Sequence, residues 1–179
     1  ERADEIRHAL LGNFHVSESV ADRLRERQLA ETALLAEQEL VLEIVARNPR
    51  VYLDGPAGTG KSHLIAKAAK RAHRKGKRTL VTCWNVLMAE QLAQEIGSLA
   101  NVDVVGLGDL MLELTGLDAH PEGAGHEWYT QTLPVLALTA LERDPGLRAY
   151  ETVLVDEFQD IAGNEAIAAV LGALGVGFP

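Results

Sequence analysis

The stretch GPAGTGKS at residues 55–62 limits this chain more than any other feature. It fits the pattern G-x-x-x-x-G-K-[ST]. It stands after VYLD (51–54), which reads as a short buried strand, and before a helix expected over about residues 61–75 and closed by Gly76. That setting gives each residue type a physical task. Gly55, Gly58 and Gly60 allow backbone conformations in which successive N–H groups converge on phosphate oxygens, with Pro56, Ala57 and Thr59 completing the loop. The helix that follows offers the positive end of its dipole to the same anion. Lys61 is placed to neutralise β- and γ-phosphates, and the Ser62 hydroxyl to bind Mg²⁺.

A second motif supplies what such a loop lacks. VLVDEFQD (153–160) runs from three apolar residues straight into acids. Ionisable side chains at the end of a buried strand are costly unless they have work to do. Here Asp156 is expected to hold the metal, and Glu157 to orient and deprotonate an attacking water. An apolar strand ending in Asp-Glu is common by itself; beside Lys61 and Ser62 the two motifs complete one site.

The rest of the chain supports an α/β domain. A helix is expected across 31–47, ending at Asn48-Pro49, because the residue before proline disfavours the α region. Further strands are expected at TLVTC (79–83), VDVV (102–105) and TVLV (152–155), with helices near 86–97 and 133–143 between them. Strands that alternate with helices and stay apolar along their length indicate a parallel sheet covered on both faces. Residues 1–30 read as a charged helical linker or the tail of a preceding domain, and 31–179 as one domain.

Charge is unevenly spread. Residues 1–78 carry 15 Lys+Arg against 11 Asp+Glu, while 79–179 carry 2 against 15, giving balances of +4 and −13 within the net −9. The basic cluster KAAKRAHRKGKR (67–78) could track a phosphate backbone, but it reads more simply as a solvated helix face and its dipole partners. Apolar runs such as VLALTAL are far shorter than the roughly 20 residues a bilayer requires, so no membrane is expected. Cys83 is alone, which excludes an intrachain disulfide and fits a reducing cytoplasm.

On these motifs the chain resembles the UvrD/Rep-like superfamily 1 helicases. DEFQD after an apolar strand is similar to their motif II, and GPAGTGKS to their motif I. LLAEQ (34–38) resembles the Q motif, which implies that Gln38 reads the adenine edge. VTCWNVLMAEQLA (81–93) resembles motif Ia, which implies contacts to single-stranded DNA, or RNA, from Thr82 and Asn85 and base stacking by Trp84. The resemblance further implies a RecA-like sheet, ATP and Mg²⁺ as ligands, and Gln159 as a sensor of the γ-phosphate.

The departures carry equal information. GLGDL (106–110) stands where the family shows motif Ib, so Gly106 replaces a phosphate-contacting threonine. The strand that bears motif III, expected between the loop strand and the motif II strand, is missing from the chain, as is the second RecA-like domain with its arginine fingers. The expected protein is therefore an incomplete ATPase domain of a helicase or translocase, weak when alone. The alternative is a regulatory nucleotide-binding switch that shares the fold and does not travel on nucleic acid. His120, Glu122, His126 and Glu127 read as solvated loop residues, and Trp128 and Tyr129 as anchors for the helix that follows.

Overall fold

A computed structural model describes residues 20–56, 58–147 and 150–175, and these fall into two compact units divided between Pro49 and Arg50. Most of the expected N-terminal linker, residues 1–19, lies outside the described residues, as does Ala57.

The first unit contains the helix α1 (Val20–Arg47). It starts well before residue 31, and the expected boundary at 30/31 falls inside it. The segment has no glycine or proline and is rich in Ala, Leu, Glu and Arg, so nothing breaks the helix until Asn48-Pro49. The Asn48 side-chain amide donates to the Ile44 carbonyl at 2.8 Å and ties down the last turn.

The second unit is built on three parallel strands, β1 (Thr79–Cys83), β2 (Val102–Gly106) and β3 (Thr152–Asp156), in the order β2-β1-β3. Every residue of the central strand β1 is 0% exposed, which explains its unbroken apolar and small-residue character. Alternation along the strands divides the core. Val81 and Cys83 of β1, with Leu154 of β3, pack beneath α2 (Lys61–Arg74) and α3 (Val86–Ile96). Leu80, Val153 and Val155 pack on the other face beneath α4 (Leu107–Thr115), α5 (Leu133–Arg143) and α6 (Glu165–Leu174). The result is a parallel sheet layered between helices on both faces. The helix α2 lies close to the sheet because alanines, Ala66, Ala69 and Ala72, form its buried side.

Three local features depart from the sequence reading. Residues 51–54 form no strand; Val51, Tyr52 and Leu53 are 38%, 64% and 39% exposed. A strand needs a ladder partner, and β3 ends the sheet on its side with no described strand beside it. The helix α4, directly after β2, was not expected. Nor was the π-helical turn Trp128–Thr132 that leads into α5, whose Thr130 carbonyl accepts a hydrogen bond from the Asn164 side chain at 2.6 Å.

Candidate nucleotide-binding site

Chain direction brings the two motifs to one end of the sheet. The helix α2 finishes at Arg74 and β1 begins at Thr79, so α2 runs antiparallel to the strand on which it packs. Its 14 residues span about 21 Å and the five-residue strands about 17 Å. The N-terminus of α2, with Lys61 and Ser62, therefore lies at the edge where β1 and β3 end. The basic cluster at the C-terminus of α2 falls at the opposite edge. Asp156 has the strand parity of Leu154, so its side chain points to the face that α2 covers.

Two of the three loop glycines take left-handed backbone. Gly58 and Gly60 adopt left-handed φ values of 81° and 82°, a region that side chains with a Cβ enter only at a cost. Gly60 directly precedes the first turn of α2. The Thr59 hydroxyl donates to the Pro56 carbonyl at 2.9 Å, and the Gly55 N–H donates to Asp54 Oδ1 at 2.8 Å. Lys61 is half-buried, and its Nζ donates to the carbonyls of Gly55 (2.7 Å) and Pro56 (3.1 Å). The ammonium is thus held over the loop by the loop's own backbone. Ser62 is half-buried at the start of α2.

Asp156 is 3% exposed. Its Oδ1 accepts the Glu157 N–H at 3.0 Å, while Oδ2 is enclosed and accepts no hydrogen bond. An enclosed carboxylate oxygen without a donor costs about 1–3 kcal/mol or more, so the site fits a cation that would satisfy it. Next along the chain, Glu157 is the only described non-glycine residue with positive φ, at 49°. The Gln159 side-chain amide donates to Glu157 Oε2. Neither the strained backbone nor this pairing had a signal in the sequence, because a contact two residues apart on an irregular turn has no periodicity. Across the ladder, burial pushes the Cys83 thiol up to a pKa of about 11, with the Asp156 carboxylate adding to the effect.

The residues expected at a nucleic acid are placed less uniformly. Thr82 is 0% exposed and its hydroxyl has no hydrogen-bond partner, so this side chain reaches no surface from which to touch a phosphate. This corrects the expectation of a direct contact: Thr82 points into the layer beneath α4–α6. Trp84 is half-buried against that core, with its ring edge-on to His126 at 6.3 Å between centroids. Asn85 is exposed, and its side-chain oxygen caps α3 by accepting from the N–H groups of Leu87 (3.0 Å) and Met88 (3.4 Å). Gly106 is buried; a Cβ there would sit 3.3 Å from Asp109 Oδ2 and 3.6 Å from Val86 Cγ2, so close packing accounts for the glycine. Gln38 is a half-buried residue of α1, in the first unit.

A glycine-rich loop opening a helix and a buried carboxylate with an unpartnered oxygen at the carboxyl edge of a parallel sheet define a P-loop nucleotide-binding domain. A family model described as the AAA domain matches residues 33–174, and the chain belongs to that family. No curated protein matches the chain, and no solved structure does. No helix among the described residues is long and apolar enough to cross a membrane.

Proposed function

We propose that this chain is the ATP-binding and ATP-hydrolysing domain of a superfamily 1 helicase or translocase that acts on single-stranded DNA or RNA. The observation that carries the nucleotide chemistry is the enclosed, unpartnered Oδ2 of Asp156 at the same sheet edge as Lys61 and Ser62. Asp156 and Ser62 would hold Mg²⁺, which supplies charge neutralisation at the phosphates when bound. The loop residues 55–60 would present N–H groups to the triphosphate, and Lys61 would move its ammonium from Gly55 and Pro56 to the phosphate oxygens. Glu157 would hold and deprotonate the water aligned with the γ-phosphate, so that catalysis rests on positioning and fixed charge. A second RecA-like domain would supply arginines, whose absence in comparable systems costs about 10³–10⁵ in rate, so residues 1–179 alone should hydrolyse ATP slowly.

Calorimetry with MgATP tests the site. Lys61→Ala should lose measurable binding while its melting temperature stays within a few degrees of the parent; unchanged affinity would sink the assignment.

The buried Thr82 and the packed Gly106 favour a second reading, a regulatory switch that binds nucleotide without travelling on nucleic acid. In the motor reading single-stranded nucleic acid accelerates hydrolysis; in the switch reading it does not.

A further inference from the structure

No acidic residue occurs from Gly55 to Ala89, and these 35 residues hold 8 of the chain's 17 Lys and Arg. Apart from Lys61, those cations lie on α2 and in the turn that follows it. With about 3.6 residues per turn, Lys67, Arg71 and Arg74 recur along the side of α2 away from the buried Ala66, Ala69 and Ala72. Lys70 flanks them and donates to the Glu95 carbonyl of α3 at 2.7 Å. A helix dipole rewards cations only in the last turn, so it accounts for Arg71 and Arg74 and leaves Lys67, Lys70, Lys77 and Arg78 unexplained. Beyond Arg74 the chain closes in a hydrogen-bonded turn. The N–H groups of Lys75 and Lys77 both donate to the Ala72 carbonyl, at 3.0 and 3.1 Å, and the Asn101 side chain donates to the Lys77 carbonyl at 2.6 Å. The backbone that carries Lys75 and Lys77 is therefore fixed. Arg78 pairs with Asp103 at 3.7 Å and lies over the Tyr150 ring. Arg74, Lys75 and Lys77 are exposed, and among the described residues none of the three meets a carboxylate.

We propose that this surface, the outer side and C-terminal end of α2, binds the phosphate backbone of a nucleic-acid duplex without regard to base sequence. The side chains it lacks select the class of partner. Protein partners are anchored by aromatic and apolar side chains, yet every exposed large apolar side chain among the described residues lies at or before Leu53, or at or after Val86. No Phe, Tyr or Trp occurs between Tyr52 and Trp84, so there is no ring on which to stack an unpaired base. Fixed cations without apolar anchors match a repeating line of phosphates, and a duplex carries one charge per about 1.7 Å of its axis. The surface is separate from the single-strand path proposed at Trp84 and Asn85, which lies at the other edge of the sheet. The choice of nucleic acid over other polyanions rests on the helicase or translocase reading.

Fluorescence anisotropy of a labelled DNA duplex, titrated with the full 179-residue chain without nucleotide across a salt series, tests this. The parent's affinity should fall linearly with salt on logarithmic axes. Arg74→Gln, Lys75→Gln and Lys77→Gln in one variant should weaken duplex binding about tenfold or more at low salt and flatten the salt slope by about 2–3. Its MgATP affinity by calorimetry should match the parent's, because Lys61 and Ser62 stand at the other end of α2. Should that variant melt below the parent, Lys75→Gln and Lys77→Gln taken singly decide the matter, each flattening the slope by about 1. No duplex binding by the parent at low salt, or a slope unchanged in the variants, overturns the proposal. Poly-glutamate that displaces the duplex at equal charge concentration also overturns it and gives the surface to an acidic protein segment. A parent that binds the duplex but not MgATP would refute the proposed function and leave this surface standing.

Discussion

Asp156 lies directly across the parallel ladder from Cys83, and both side chains point to the face covered by α2. The thiol donates to the Asn85 carbonyl at 3.1 Å, so it gives the carboxylate no hydrogen bond and adds only apolar bulk beside it. The protein keeps an enclosed acid next to a group that cannot satisfy it. On the proposed function this is stability given up for a position that would hold Mg²⁺.

Asp156→Asn should separate those two properties. Removing the charge from Oδ2 relieves the unsatisfied carboxylate, and the melting temperature without ligand should rise by about 2–4 °C, the equivalent of about 1 kcal/mol in a chain of this size. The additional rise that MgATP gives the parent should vanish. Thermal denaturation with and without MgATP checks both halves, and a variant that melts lower without ligand would contradict the account.

Gly58 and Gly60 carry the loop through left-handed backbone, and at Gly58 a Cβ would meet nothing within 4 Å. The penalty of Gly58→Ala is therefore conformational: about 1 kcal/mol of stability or a displaced loop, with nucleotide affinity reduced about tenfold or more. Gly125→Ala is the control, since it has equal room and no positive φ. It should leave both properties unchanged in a titration with a fluorescent ATP analogue.

Burial raises two acidic groups. Cys83 is pushed up to about 11, and Tyr150 to about 12 by burial and by its hydrogen bond to Asp103 at 2.8 Å. The folded state holds these protons more tightly than the unfolded state, whose ordinary values are 9.0 and 10.0. Their contribution is fully present below pH 9 and is lost as pH climbs through 11 to 12. Denaturant midpoints should accordingly fall over that window. At pH 8 the native thiol should resist a disulfide reagent that modifies it at once in denaturant, and in Cys83→Ala the first part of the alkaline fall should diminish.

Asn85 offers a way to separate a cap from a nucleic-acid contact. Asn85→Asp keeps the oxygen that caps α3 and adds a negative charge at an exposed position. Its melting temperature should match the parent, while its affinity for single-stranded DNA or RNA should fall several-fold below the parent's at low salt, a deficit that shrinks as salt screens the added charge. Asn85→Ala should lose about 1 kcal/mol of stability. Equal nucleic-acid binding by parent and Asn85→Asp would remove this residue from the proposed path.

The regular elements that were legible each have a strong local cause. The unbroken apolar run of β1, the spacing of α2 and α3 and the proline after α1 all hold in the structure. VYLD misled because its residues favour a strand while the sheet offers no adjacent edge: strand propensity expresses itself only through a partner. Thr82 misled for a related reason. Strand position fixes which way a side chain points, and at that register it points inward. The glycine-rich turn before α2 and an acid at the end of β3 stand at the positions the spacing gives, whereas the left-handed Glu157 and its bond to Gln159 arise from how a short turn closes after β3. Such closure depends on atoms that no sequence period records.

Lys61 donates to two carbonyls of its own loop. A triphosphate entering here does not meet a bare cation; it displaces an internal ligand, so the observed affinity is the difference between two sets of bonds to one ammonium. Weakly charged anions will compete poorly in that exchange, and this discrimination comes before any contact to base or sugar. On the proposed function the lysine would work as a threshold, excluding anions that cannot repay the backbone for its release.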